Sequence, residues 1–249
     1  MERRKNHYAF VIDVSRCIDC RACLVACSVE NGVPDNHTRI WVKDLGVEGT
    51  FPNLKRAFVP YNCMHCEKPP CVEVCVSGAT YKDPITGLVE VDQDACIGCG
   101  YCVEACPYKV RYLNEKRGVV DKCNACAQRI AVNQPPACVS TCLGDSRMFG
   151  DLNDPNSEII QVLKEATSIQ TINITYRENT NTEPNIFYIN GNVQHSSLQP
   201  QMPTYTFSEE GWKNFLIPAV AAGVGLACLG QAVMFTKQLI QGENEFEDQ

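Results

Sequence analysis

Sixteen of the seventeen cysteines in this 249-residue chain fall into four groups of four, and no other feature limits its fold so sharply. The groups are Cys17, Cys20, Cys23 and Cys27; Cys63, Cys66, Cys71 and Cys75; Cys96, Cys99, Cys102 and Cys106; and Cys123, Cys126, Cys138 and Cys142. The first and third read C-x2-C-x2-C-x3-C, in which three thiolates on a tight loop can wrap one face of a [4Fe–4S] cubane. The fourth cysteine starts a helix and points elsewhere; in two-cluster ferredoxins it ligates the partner cluster. The last group is stretched to C-x2-C-x11-C-x3-C, but Cys138 and Cys142 keep the helix-start pair. Four groups predict four cubanes, and four cubanes in one small protein make a wire.

Other uses of cysteine fit less well. Structural zinc joins two C-x2-C pairs across a longer loop, and a third cysteine two residues further on adds a ligand it does not need. A disulfide framework belongs to short secreted chains without a core, whereas 45% of this chain is hydrophobic. Cys228 stands apart in an apolar stretch and reads as a small buried hydrophobe. A catalyst with a substrate-binding cluster would need a cubane short of one cysteine, and four complete sets are present.

Length allows one or two domains with a core, not a large catalytic subunit. A net charge of −7, with no basic run beyond Arg3-Arg4-Lys5, argues against nucleic acid as a partner. After the twin arginine, Asp13 interrupts Phe10-Val11-Ile12, so no cleavable signal is expected. Residues 215–235 carry no charge. As a helix they would span roughly 31 Å, close to bilayer thickness. Ala219, Gly223 and Ala227 would form a small-residue face continued by Gln231, with Trp212 at the interface. One transmembrane helix packed on another subunit is expected.

Residues 9–14 read as a strand entering the first cysteine loop, and 22–29 as a helical turn. Residues 31–60 form a connector with alternating apolar pieces and a turn at Phe51-Pro52-Asn53. Two β-hairpins are expected, one over 79–95 with its turn at Asp83 to Gly87, the other joining 110–113 to 119–121 around 114–118. Residues 155–166 suggest a surface helix with Ile159, Ile160, Val162 and Leu163 inward. Residues 169–191 contain strand-like pieces at 172–174 and 186–188, and 196–208 read as a linker. The expected class is α+β: tandem ferredoxin-like 2[4Fe–4S] modules with short hairpins and helices, plus the transmembrane helix. The boundaries are residues 1–150 for the four-cluster domain, 151–208 for a peripheral extension and linker, and 209–249 for the membrane helix and acidic tail.

Over about residues 7–190 the chain resembles the iron–sulfur subunits of dimethyl sulfoxide reductase, polysulfide reductase and membrane formate dehydrogenase complexes. The resemblance rests on the order of the four groups, on residues 63–71 (CMHCEKPPC), on Cys106-Pro107-Tyr108, on 147–155 (RMFGDLNDP) and on 183–188 (EPNIFY). It implies that the first group pairs with the fourth and the second with the third. The implied ligand sets are Cys17, Cys20, Cys23 and Cys142; Cys27, Cys123, Cys126 and Cys138; Cys63, Cys66, Cys71 and Cys106; and Cys75, Cys96, Cys99 and Cys102, in that order from the catalytic subunit toward the membrane. Only Cys106 is followed by proline; Ser28, Val76 and Leu143 follow the other fourth cysteines.

The resemblance further implies a non-catalytic electron-transfer subunit linking a molybdopterin (Mo or W) catalytic subunit to an integral membrane quinone-reactive subunit, NrfD-like or cytochrome b-like. A nickel–iron hydrogenase or multihaem cytochrome complex is the alternative setting. The expected location is the prokaryotic cytoplasmic membrane, single-pass, with the cluster domain on the outer face. His65 lies beside a complete ligand set, so a supporting hydrogen bond is expected of it rather than ligation. Lys109 and Arg111 either stabilise a negative cluster near Cys106 or are solvated surface charges.

Overall fold

The computed structural model describes residues 6–175 and 181–194, with residues 231, 233, 234, 236 and 237 near the C-terminus. The chain divides into two units, Met1–Pro200 and Gln201–Gln249. The fold below is that of the first.

A four-stranded sheet is its spine, built on β1 (Tyr8–Asp13). Strands β8 (Arg147–Asp151) and β10 (Ile186–Ile189) flank β1, and β9 (Ile169–Gln170) pairs on the far side of β10. β8 runs antiparallel to β1 with Met148 opposite Val11, and β10 runs parallel with Ile186 opposite Phe10. The run from Ala9 to Ile12 is buried throughout, as a strand covered on both faces must be. Alternation divides the labour. Ala9 and Val11 pack with Met148 and Ile189 on Ile159 of helix α6 (Glu158–Glu165). Phe10 and Ile12 face the other way, into a core shared with Tyr188, Met64 and the thiols of Cys27, Cys63 and Cys123. The cysteines are thus part of the hydrophobic interior.

Three antiparallel hairpins surround that core: β2 (Trp41–Glu48) with β3 (Lys55–Tyr61), β4 (Thr80–Lys82) with β5 (Val89–Val91), and β6 (Arg111–Asn114) with β7 (Val119–Lys122). The last two are the hairpins expected from their turn residues. The first occupies the stretch read as a connector, with Phe51-Pro52-Asn53 in its loop. Its register shifts between Asp44 and Val47, which breaks the alternation that announces a strand. Helix α1 (Ala22–Asn31) has three turns; α2 (Pro70–Glu73), α3 (Tyr101–Glu104), α4 (Ala127–Ile130) and α5 (Ala137–Ser140) have one each. Of the four residues expected inward, Ile159 is fully buried and Val162 and Leu163 are half-buried against the same cluster, while Ile160 is half-buried outside it.

Among the described residues no helix is long and apolar enough to cross a membrane. The longest, α1, has ten residues. At about 1.5 Å per residue it covers roughly half of a 30 Å hydrocarbon core. The expectation of a C-terminal transmembrane helix, and with it of a single-pass protein of the prokaryotic cytoplasmic membrane facing outward, therefore does not stand. The apolar run 215–235, with Trp212 and Cys228, lies outside the described residues except at Gln231, Val233 and Met234, which are helical and exposed.

Candidate metal centres

The first C-x2-C step of each group is shaped by one residue in the left-handed backbone region. The residue before the second cysteine is Asp19 (φ 53°), His65 (φ 45°), Gly98 (φ 68°) or Ala125 (φ 55°). That twist turns the loop back sharply enough to carry both thiols to one side. Three of the four positions bear a side chain, at a cost of about 1–2 kcal/mol each, so something must hold them. In the first loop Arg21, itself at φ 58°, ties Nε to the Asp19 carboxylate at 3.0 Å. In the third, Gly98 lies so close to the next hairpin that a Cβ would sit 2.2 Å from the Gly118 carbonyl oxygen.

The helices then aim the remaining thiols. Cys23 and Cys27 are one turn apart on α1 and both buried. Cys71, Cys102 and Cys138 lie in α2, α3 and α5. Cys75, Cys106 and Cys142 follow those single turns.

Three of the four implied ligand sets are brought together directly. Cys17, Cys20, Cys23 and Cys142 line one hollow, with Arg147 in its wall. Cys63, Cys66, Cys71 and Cys106 line another, with Arg111 and Tyr108. Cys27, Cys123, Cys126 and Cys138 are all buried and within electrostatic reach of one another. The Asn31 side-chain amide donates to both Cys27 and Cys126, each at 3.6 Å. For the fourth set the connection is by packing. Cys96 and Cys102 share a small core with Cys71, and α2, which leads to Cys75, lies against α3. Cys99 is exposed at that rim.

Backbone N–H groups reach several sulfurs: Thr80 to Cys75 at 3.2 Å, Val120 to Cys96 at 3.4 Å and Ala125 to Cys123 at 3.4 Å. Such bonds favour thiolate over thiol. Burial works against them. It pushes the Cys23 thiol up to about 11 and those of Cys71 and Cys123 up to about 12; Cys27, Cys66, Cys106 and Cys138 rise for the same reason. Cys75 is the exception. Burial raises it too, but hydrogen bonds from Thr80 and Ser77 together hold it below the ordinary thiol value.

An iron–sulfur core fits these surroundings. Deprotonating so many buried thiols needs a multivalent cation to hold the charge. Among the described residues no three His, Cys, Asp or Glu side chains converge tightly enough for a single metal ion. Instead the thiols of two sets rim hollows four at a time. Among the described residues three of the buried cations near them, Arg147, Arg111 and Lys122, are in no ion pair. Arg147 is bonded to Asn62 Oδ1 at 2.5 Å, and its Nε and Nη1 are unpartnered. Among the described residues Arg111 donates to Thr80 Oγ1, at 3.3 Å, and its Nε is unpartnered. Lys122 gives its ammonium to the carbonyls of Val89 and Cys123. Unpaired buried charge is costly, and an anionic thiolate cluster supplies the missing counter-charge.

The two readings of the basic pair near Cys106 divide accordingly. Lys109 is an exposed partner of Glu104, whereas Arg111 is 2% exposed and faces thiols. His65 is fully buried and neutral, because burial and the nearby Lys122, Lys82 and Arg111 disfavour its protonation. Its Nδ1 accepts from the Val89 N–H at 3.1 Å, so its supporting bond goes to β5 rather than to a sulfur. Sequence reasoning did not single out Asn31, Asn62 or Lys122. Polar residues in loops carry no spacing signal of their own. Arg147 did leave one: it stands five residues after Cys142, as Arg111 stands five after Cys106.

Comparison with known proteins agrees with this chemistry. Two family models, each described as a 4Fe–4S dicluster domain, match residues 9–76 and 54–152. The thiosulfate reductase electron transfer subunit PhsB of Salmonella typhi is 49% identical over 156 residues, covering 62% of this chain and 81% of that protein. A tetrathionate reductase subunit of Salmonella typhimurium is 39% identical over 187 residues, covering 74% of this chain and 73% of its own. Protein NrfC of Escherichia coli is 38% identical over 183 residues, covering 73% and 80%.

Proposed function

The chain belongs to the family of iron–sulfur electron-transfer subunits of molybdopterin oxidoreductases, and from that premise we propose that it carries four [4Fe–4S] clusters as a wire between a molybdenum or tungsten catalytic subunit and a membrane quinone-reactive subunit. It is a non-catalytic subunit of such a complex. A cubane bound at each site takes up and returns one electron without a bond being made or broken, so a two-electron reaction at either end is delivered one electron at a time.

The observation that carries the proposal is the gradation of exposure across the four thiol sets. The Cys27/Cys123/Cys126/Cys138 and Cys63/Cys66/Cys71/Cys106 sets are buried throughout. The Cys17/Cys20/Cys23/Cys142 and Cys75/Cys96/Cys99/Cys102 sets each have one buried thiol, two half-buried and one exposed, Cys20 or Cys99. Two accessible ends with two enclosed stations between them is what a wire needs, since water must be kept from the middle and partners admitted at both ends.

Neighbour relations support the same order. Cys23 feels Cys138, Cys123 feels Cys63, and Cys71 packs with Cys102. Asn62 joins the middle pair, donating to the Cys123 sulfur at 3.7 Å and to the Cys63 carbonyl at 3.0 Å. Exposed aliphatic residues stand at each end, Ile18 and Leu143 at one and Val76 and Ile97 at the other. Apolar patches around an electron exit suit subunit docking.

Replacing Cys99 by serine tests this reading. The variant is expected to lose or convert one cluster and to stop quinone-linked turnover of the complex, while a soluble dye still drives the catalytic subunit. Quinone-linked turnover that survived the loss would end the wire proposal.

A further inference from the structure

The two paired modules share a feature that thiol spacing does not require. Arg111 and Arg147 stand five residues beyond the fourth cysteines Cys106 and Cys142, and each is the first residue of a strand, β6 or β8. Both are 2% exposed. Among the described residues neither is in an ion pair. Each gives hydrogen bonds to a neutral oxygen instead, Arg111 to the Thr80 hydroxyl and Arg147 to the Asn62 amide. Each also keeps at least one unpartnered N–H.

Their thiol neighbours come from both sets of the same module. Arg111 lines the hollow of Cys63, Cys66, Cys71 and Cys106, and its charge reaches Cys102 of the other set. Arg147 lines the hollow of Cys17, Cys20, Cys23 and Cys142, and its charge reaches Cys138 and Cys123 of the other set. Arg39 makes the contrast, because Asp121 neutralises it at 2.7 Å and Tyr112 holds that carboxylate in place. A third buried guanidinium near thiols has therefore been cancelled by the protein, and these two have not.

We infer that Arg111 and Arg147 are matched potential-setting residues, each placing an uncompensated positive charge between the two clusters of its own module and making both easier to reduce. The inference rests on the four-cluster reading above. Reduction adds negative charge to a cluster, and a fixed buried cation nearby stabilises that state. A charge in the gap also offsets the repulsion between two clusters reduced at once. The arginines are positioning residues: they touch no substrate and ligate no iron.

The test is an EPR-monitored redox titration of the complex containing the full chain, purified without oxygen. Cys71→Ser, Cys102→Ser, Cys23→Ser and Cys126→Ser first assign each couple to its thiol set. Arg111→Met is then expected to retain all four clusters and to lower the couples assigned by Cys71 and Cys102. At an unchanged poise their reduced-to-oxidised ratio falls about tenfold, which for a one-electron couple is about 59 mV. The couples assigned by Cys23 and Cys126 stay in place. Arg147→Met produces the reverse pattern, and Arg111→Lys restores most of the loss.

Four intact clusters with no couple moved would overturn the inference, as would an equal shift in the other module. If Arg111→Met fails to assemble, Arg111→Gln, which keeps a donor for Thr80 without the charge, decides. Should neutral variants assemble only three clusters where the lysine variant assembles four, the charge serves assembly and not potential, and the inference is wrong. Failure of the ligand assignment looks different: Cys71→Ser and Cys102→Ser would then alter the same couple.

Discussion

The first and third cysteine loops have identical spacing, C-x2-C-x2-C-x3-C, yet they are held in shape by opposite means. Residues 17–27 place Asp19 and Arg21 in the left-handed region, tie them to each other and run into the three-turn helix α1. Residues 96–106 place Gly98 and Gly100 there and run into the single turn of α3. The thiol spacing demands the same backbone path in both. What presses on the loop decides which residues can follow it. Solvent lies over Asp19 and Arg21, so side chains are tolerated and can pair. The β6–β7 hairpin lies over Gly98, and there is no room for a Cβ.

That contrast can be broken by exchanging the solutions. The largest effect is expected from Gly98→Ala. Its Cβ would meet the Gly118 carbonyl oxygen at 2.2 Å on a backbone at φ 68°. Loss of about 2–4 kcal/mol of stability and of the cluster held at Cys96, Cys99 and Cys102 should follow, seen as about four fewer iron atoms per chain and a lower thermal midpoint. A much smaller effect is expected from Asp19→Gly. The substitution removes a left-handed penalty of about 1 kcal/mol and an exposed ion pair worth less than about 1 kcal/mol, so stability changes little and every cluster remains. A large loss of stability or iron with Asp19→Gly would mean that the ion pair, not the thiols, shapes the first loop.

The comparison also shows what the sequence made legible. The cysteine groups, the strand beginning near Ala9, the hairpins flanking residues 83–87 and 114–118, and the helix carrying Ile159 all have local signatures, and the structure contains each. Long-range pairing has none. Nothing local says that β10 lies parallel beside β1, across some 175 residues of chain, because a short apolar run reads the same wherever it docks. The β2–β3 hairpin was hidden by its register shift. The pairing of first with fourth group and second with third came from family resemblance, not from spacing, which permits other combinations.

Charge was the least legible property. Arg111, Arg147 and Lys122 look like surface residues in one dimension and are buried in three. Their burial makes sense only beside clustered thiolates, a fact about chain topology that spacing alone cannot carry. The apolar run 215–235 was the converse case: a strong local pattern whose expected outcome, a membrane-spanning helix, has no counterpart among the described residues.

The central claim is that this chain holds four cubanes in one continuous row. Its most direct test is chemical analysis of iron and acid-labile sulfide in the anaerobically purified chain, with its concentration fixed by amino-acid analysis. The account predicts about sixteen of each per chain, four for every set of four thiolates. A value near eight, or zinc in place of iron, would contradict it.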